Sequence, residues 1–167
     1  MDNITSQPAH LRLAIAPGVS SSQLSALLAL QRAEEPDVSI TFFEVAGHDL
    51  LDGLREGRYD VGMSLQGASD PALETQPLWI EHMAVAIPLR LPLLEQSSLT
   101  IADLQNYPIF RWEAETCFLL FCWLFARLPA DPQNLQYVTS FEMMALWVSS
   151  GYGVGVSAQS RIKHAPG

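Results

Sequence analysis

Apolar and polar positions alternate at the start of the chain. Leu11, Leu13 and Ile15 are separated by Arg12, Ala14 and Ala16, a period of two that predicts a strand. Pro17-Gly18 breaks it. Ser20 and Gln23 stand at capping-box spacing, and Leu24, Leu27, Leu28 and Gln31 carry a helical period to about Ala33. Pro36-Asp37 stops the helix. Val38, Ile40 and Phe42 then form a strand with Phe43 and Val45 on its other face, a pattern that predicts burial on both sides. Gly47-His48 opens a short helix bearing Leu50, Leu51 and Leu54, stopped near Gly57, and Tyr59 to Leu65 reads as a third strand. The first stretch is therefore β-α-β-α-β, a doubly wound unit.

The same theme returns after a polar loop. Residues 77–89 read as extended, with Met83, Val85 and Ile87 alternating, and the boundary between two lobes is placed near residue 85. Residues 1–10 form a loose leader, 11–85 a first lobe and 86–167 a second. Thr100 to Asp103 opens a brief helix by capping logic, and Tyr107 to Arg111 is a strand. An oily helix follows at about Cys117 to Leu128, then a strand at Leu135 to Thr139, a helix at Phe141 to Ser150 and a strand at Gly153 to Ser157. The fold class is α/β.

Composition narrows the function. Of 167 residues, 49% are apolar and 16% charged, so the chain is no disordered tail. Its longest apolar run, Cys117 to Ala126, is ten residues; a membrane span needs about 20. Nine basic residues against eighteen acidic ones leave a net charge of −9, the wrong sign for gripping nucleic acid directly. The first residues lack the basic-then-apolar order of a secretory signal, which points to the cytoplasm. Cys117 and Cys122 are both inside the oily run at a spacing that disfavours a mutual disulfide. No nucleophile elbow, zinc-protease helix or phosphate loop is present, and His10, His48, His82 and His164 are too scattered for a metal site. Neither an enzyme nor a cofactor is expected. The Gly151 to Val156 glycine string enters a strand instead of leaving one, so it is not a dinucleotide fingerprint.

Three motifs carry a resemblance. They are the leucine-bearing helix ending in Pro36-Asp37-Val38, the run Gly47 through Leu50, Leu51, Leu54, Gly57, Asp60 and Val61, and the stretch Val148-Ser149-Ser150-Gly151-Tyr152-Gly153-Val154-Gly155-Val156. In this order they resemble the effector-binding domain of LysR-type transcriptional regulators, from about Leu11 to Arg161. The Gly47-His48 pair is most similar to the branch around nitrogen-assimilation control regulators. The resemblance implies two lobes of the periplasmic-binding-protein type II kind, and a small-molecule effector held between them. It also implies a winged helix-turn-helix before Leu11 and a C-terminal return to lobe one, neither of which the sequence contains. The fold is thus expected to be incomplete at its C-terminus, either as a piece of a longer regulator or as a freestanding sensor. Apolar surface on lobe one and self-association are expected to follow.

Four loops open helices after strands: 17–21, 46–48, 112–116 and 139–140. Ligands of doubly wound sheets sit at such strand ends, where helix N-termini favour anions. The candidate ligand residues are Ser20, Ser21, Gly47, His48, Arg111, Thr116, Thr139 and Ser140, and the ligand class is a carboxylate or other small anion. Each has a plain structural alternative: a cap for the hydroxyls and His48, a turn for Gly47, and an ion pair with Glu113 or Glu115 for Arg111. The oily helix is either core or a dimer face built on Phe118, Phe121 and Phe125; the resemblance implies a homodimer or higher oligomer. The rival readings are a freestanding small-molecule-binding protein and an enzyme on the same scaffold.

Overall fold

The computed structural model describes residues 9–19, 22–65, 67, 70–112 and 134–163. They divide into two compact units, Met1–Leu78 and Trp79–Gly167. The first contains β1 (His10–Ile15), α1 (Ser22–Glu34), β2 (Ser39–Glu44), α2 (Gly47–Arg55) and β3 (Val61–Met63). The second contains β4 (Met83–Ala86), a 3-10 turn (Pro92–Glu95), α3 (Ile101–Leu104), β5 (Ile109–Trp112), β6 (Leu135–Val138), α4 (Phe141–Ser149), β7 (Val154–Ala158) and α5 (Gln159–Lys163). The expected oily helix lies outside the described residues.

In the first unit β1 is the middle strand of a parallel sheet ordered β2-β1-β3. Leu13 and Ala14 of β1 are buried, whereas Phe42 of β2 is 55% exposed. The apolar faces of residues 38–45 had predicted a doubly buried strand. The sheet corrects this: β2 is an edge strand that hydrogen-bonds only to β1 among the described residues. Apolar content alone does not rank strands within a sheet; neighbours do.

The motif residues of this unit have specific structural work. Leu50 and Leu54 of α2 lie directly on Gly62 of β3, where an added Cβ would come within 2.7 Å of Leu50 and 2.9 Å of Leu54. Glycine lets the helix approach the strand closely. Gly57, at φ +69°, turns the chain out of α2. Asp60 then clamps the neighbouring strand. Its Oδ1 accepts from Arg12 Nη2 at 2.6 Å, and its Oδ2 accepts from Arg12 Nε at 3.1 Å and from the Arg12 backbone N–H at 2.7 Å. These donors hold the Asp60 carboxyl down at about 2, below its ordinary 3.8.

The second sheet is ordered β4-β7-β5-β6. β5, β6 and β7 are parallel, while β4 runs antiparallel to β7, with Met83 opposite Ala158 and Ala86 opposite Gly155. Residues 79–85 therefore belong with the second unit, not with the first lobe to which the extended pattern had joined them. The segment is also tied at its entry: His82 O accepts from Gln159 N–H at 2.7 Å, and Glu81 Oε1 from Ser160 N–H at 3.1 Å.

Each face of this sheet has its own core. Ile109, Val154 and Val156 pack with Leu93 and Leu104, whereas Phe110 and Val138 pack with Met144 and Val148 of α4. Residues two apart share a face, which sorts Ile109 with Arg111, and Phe110 with Trp112. The expected Thr100 cap is present as a reciprocal capping box: Asp103 accepts from the Thr100 N–H at 2.7 Å, and Thr100 caps the Asp103 N–H. Gly153 lies so close to the Pro108 carbonyl that a side chain there would collide with backbone.

Two outcomes follow. The depressed Asp60 carboxyl contributes stability that is fully present above its ordinary value and is lost as pH falls from about 4 toward about 2. Asp60→Asn is expected to lower the melting temperature at pH 7 and to narrow its gap from wild type below pH 4, read by thermal denaturation across pH. Met144 is 1% exposed, so Met144→Ala is expected to cost about 2–5 kcal/mol in denaturant unfolding.

Candidate functional site

In each unit the parallel strands discharge at one edge, and the loops there begin helices. In the first unit β1 ends at Ile15. Ala16 is tied to Met63 O by its N–H at 2.9 Å, and Gly18, at φ +94°, turns the chain toward α1. Ser20 and Ser21, which complete this loop, lie outside the described residues.

The loop after β2 is described throughout. Ala46 is the N-cap of α2 and offers no side-chain acceptor to the first turn. Gly47 is half-buried and His48 is exposed. His48 does not cap the helix; its Nε2 lies 3.5 Å from Asp49 Oδ1, with both side chains in solvent. A helix start without a side-chain cap leaves backbone N–H donors and the positive end of the dipole for another acceptor.

In the second unit the corresponding turn is Thr139-Ser140, between β6 and α4. Ser140 is the N-cap, with extended backbone, and its Oγ accepts from the Met143 N–H at 3.2 Å. The capping alternative for Ser140 is therefore realised. Thr139 is exposed, and its carbonyl accepts from Trp112 Nε1–H at 3.0 Å. This bond ties the end of β5 to the end of β6. Thr116 lies outside the described residues, as do Phe118, Phe121 and Phe125 of the expected dimer face and both acids expected near Arg111.

Arg111 is brought to the same sheet but not to its rim. It is the third residue of β5, is 7% exposed and holds its guanidinium carbon 5.5 Å from the Tyr137 ring centroid. Tyr137 is its register partner on β6. The expectation of an arginine ending the strand at an open edge is thus replaced by one covered by its cross-strand neighbour. By the alternation of β5, Arg111 also faces away from the side that carries Trp112.

The reading from sequence passed over a second arginine of this sheet. α5 follows β7 immediately, and its Arg161 places the guanidinium carbon 4.4 Å from the Trp112 ring centroid and 5.5 Å from that of Phe141. Trp112, Phe141 and Thr139 thus gather with Arg161 where β5, β6 and β7 end. No local signal marks this cluster, because its members are far apart in the chain and α5 has too few residues to show a period. Among the described residues no group of three or more His, Cys, Asp or Glu side chains is placed to hold a metal ion, and no helix is long and apolar enough to cross a membrane.

Comparisons with known proteins agree with this architecture. The chain is 26% identical over 126 residues to the HTH-type transcriptional regulator AlsR of Bacillus subtilis (strain 168), covering 74% of this chain and 42% of that protein. It spans about half the length of the curated relatives it matches. Among solved structures, the BenM effector-binding domain with its effector benzoate superposes with a TM-score of 0.84 at 20% identity, covering 96% of this chain and 75% of that one. The effector-binding domain of QuiR in complex with shikimate gives 0.79 at 20% identity, over 93% and 77%. At such identity these structures show the fold, that of the periplasmic-binding-protein type II kind. The model of the LysR substrate-binding domain matches residues 6–167. This chain belongs to that family, the effector-sensing domains of LysR transcription regulators.

Proposed function

We propose that this chain senses a small anionic metabolite, a carboxylate before any other anion, and passes the resulting change to a DNA-binding region of a transcription regulator. The observation that carries the anion is the α2 start: Ala46 offers no side-chain cap, and Gly47 and His48 stand at the carboxyl end of a parallel strand. Such an end favours negative charge by its oriented N–H groups and dipole. Thr139 and Ser140 hold the equivalent position in the second unit, and Ser20, Ser21 and Thr116 are the further hydroxyls proposed for the site. Benzoate and shikimate, the compounds bound to BenM and QuiR, are both carboxylates, which supports the same class here.

The ligand acts only through its different affinity for the conformations it selects. The regulator works in the cytoplasm as a homodimer or higher oligomer, with Phe118, Phe121 and Phe125 in the interface; exposed Leu27 and Leu30 of α1 and Phe42 of β2 add apolar surface suited to self-association. Contact with DNA falls to another region, since this chain carries a net charge of −9.

A thermal-shift screen against small organic acids, amino acids and sulfur or nitrogen metabolites tests the reading. At least one acid is expected to raise the melting temperature in proportion to the logarithm of its concentration above Kd; no shift from any small anion would overturn it. Ser140→Asp preserves an N-cap acceptor while adding negative charge at the proposed site. Its stability is expected within about 0.5 kcal/mol of wild type, with the acid-induced shift abolished. Sedimentation equilibrium is expected to show mass rising with concentration, and a monomer at every concentration would remove the oligomer.

A further inference from the structure

The chain that connects the two units is gripped before it leaves the first. Arg55, the last residue of α2, reaches Asp70: its Nε–H donates to Asp70 Oδ2 at 2.6 Å. Its Nη1–H donates to Asp52 Oδ1 at 2.8 Å, one turn back on the same helix, which orients the guanidinium. Asp70 uses its other oxygen locally. Oδ1 accepts from the Ala72 N–H at 2.9 Å, and the Asp70 carbonyl accepts from the Leu73 N–H at 3.1 Å. One residue thus both folds the turn 70–73 and fastens it to α2. Among the described ion pairs the Asp70 side chain is the least exposed acid, at 15%, so water and salt screen it least.

The next grip belongs to the second unit, where Glu81 Oε1 and the His82 carbonyl accept from the Ser160 and Gln159 N–H groups. Between the two grips residues 74–80 form no helix or strand, and the boundary between the units, Leu78 to Trp79, falls among them. Gln76, Pro77, Leu78 and Ile80 are exposed, Ile80 at 81%. A stretch like this has little burial to hold it in one conformation. A span of five residues, 76–80, reaches at most about 17 Å, whereas one that begins at Asp70 reaches roughly 40 Å. The grip on Asp70 therefore decides how much chain is available to bend.

We propose that Arg55 and Asp70 form a latch that shortens the joint between the two units, so that a change in one is passed to the other instead of being taken up by slack chain. α2 links this latch to the candidate site: its start after Ala46 is the end proposed above for the anion, and Arg55 is its other end. The latch itself stands apart from that reading, and its test needs no ligand.

The test compares wild type with Asp70→Asn and Arg55→Gln. Asp70→Asn keeps an acceptor for the Ala72 N–H while removing the charge, which separates the latch from the turn. Amide exchange followed by nuclear magnetic resonance is expected to show Ala72 and Leu73 protected in wild type relative to Gln76, Leu78 and Ile80. In both variants that protection is expected to fall about three- to fivefold, with the amides of β1 unchanged as the sign that the sheet remains folded. Spin labels at Glu34→Cys on α1 and Glu142→Cys on α4, with Cys117 and Cys122 replaced by alanine and the labelled protein diluted in unlabelled chain, report the distance between the units by pulsed electron paramagnetic resonance. The width of the distance distribution is expected to grow by about half in both variants, as the square root of the free length. Unchanged exchange at Ala72 and Leu73 in both variants would overturn the latch. Distributions no wider than that of wild type would overturn its control of the joint.

Discussion

A strand buried on both faces must find every backbone partner inside the protein, and β7 is such a strand. Val154, Val156, Ser157 and Ala158 are each almost wholly excluded from solvent. Leaving its N–H and C=O groups without partners would cost several kcal/mol per group. β7 meets this demand by pairing antiparallel with β4 on one side and parallel with β5 on the other. That double pairing fixes where β7 ends, and hence where α5 begins and Arg161 stands. It also draws β4 away from the first unit, next to which it lies in sequence. Gly153 and Gly155 admit β7 into this position, the first against the Pro108 carbonyl and the second beneath Met144 and Val148.

The first unit solves a related problem with fewer residues. Its sheet has β1 in the middle, and the short β3 is held there by Asp60 and by α2. Much of the pattern of glycine, leucines and aspartate that drew attention in the sequence is explained by this packing. Gly62 admits the leucines, Gly57 reverses the chain, and Asp60 grips Arg12. These residues secure the sheet. A family pattern of this kind therefore identifies a scaffold more directly than it identifies a ligand.

The candidate site follows from that division of labour. A strand end that flows into a helix carries oriented donors whether or not any side chain assists. At Ala46 no side chain assists, and at Ser140 the hydroxyl is already engaged with the Met143 N–H. Side chains then add selectivity to a general preference for anions. Arg161, through its contacts with Trp112 and Phe141, ties α5 to the ends of β5 and β6.

The sequence alone determined what depends on neighbours a few residues apart. The alternation at Leu11 to Ile15, the Thr100-Asp103 box and the Ser140 cap are local interactions, visible as spacing, and each appears in the structure at its expected place. The family was legible for the same reason, since its motifs are local packing rules. Partners far along the chain were not legible. Apolar residues in 38–45 do not reveal that β2 has a neighbour on one side only, and the alternation at 83–87 does not say that its partner is β7. Arg111 looked like an open strand end until Tyr137 came to lie across it, and no local spacing placed Arg161 beside Trp112. Only tertiary structure decided these matters, because strand order and side-chain meeting points are set by hydrogen bonds and burial between segments that no local period connects.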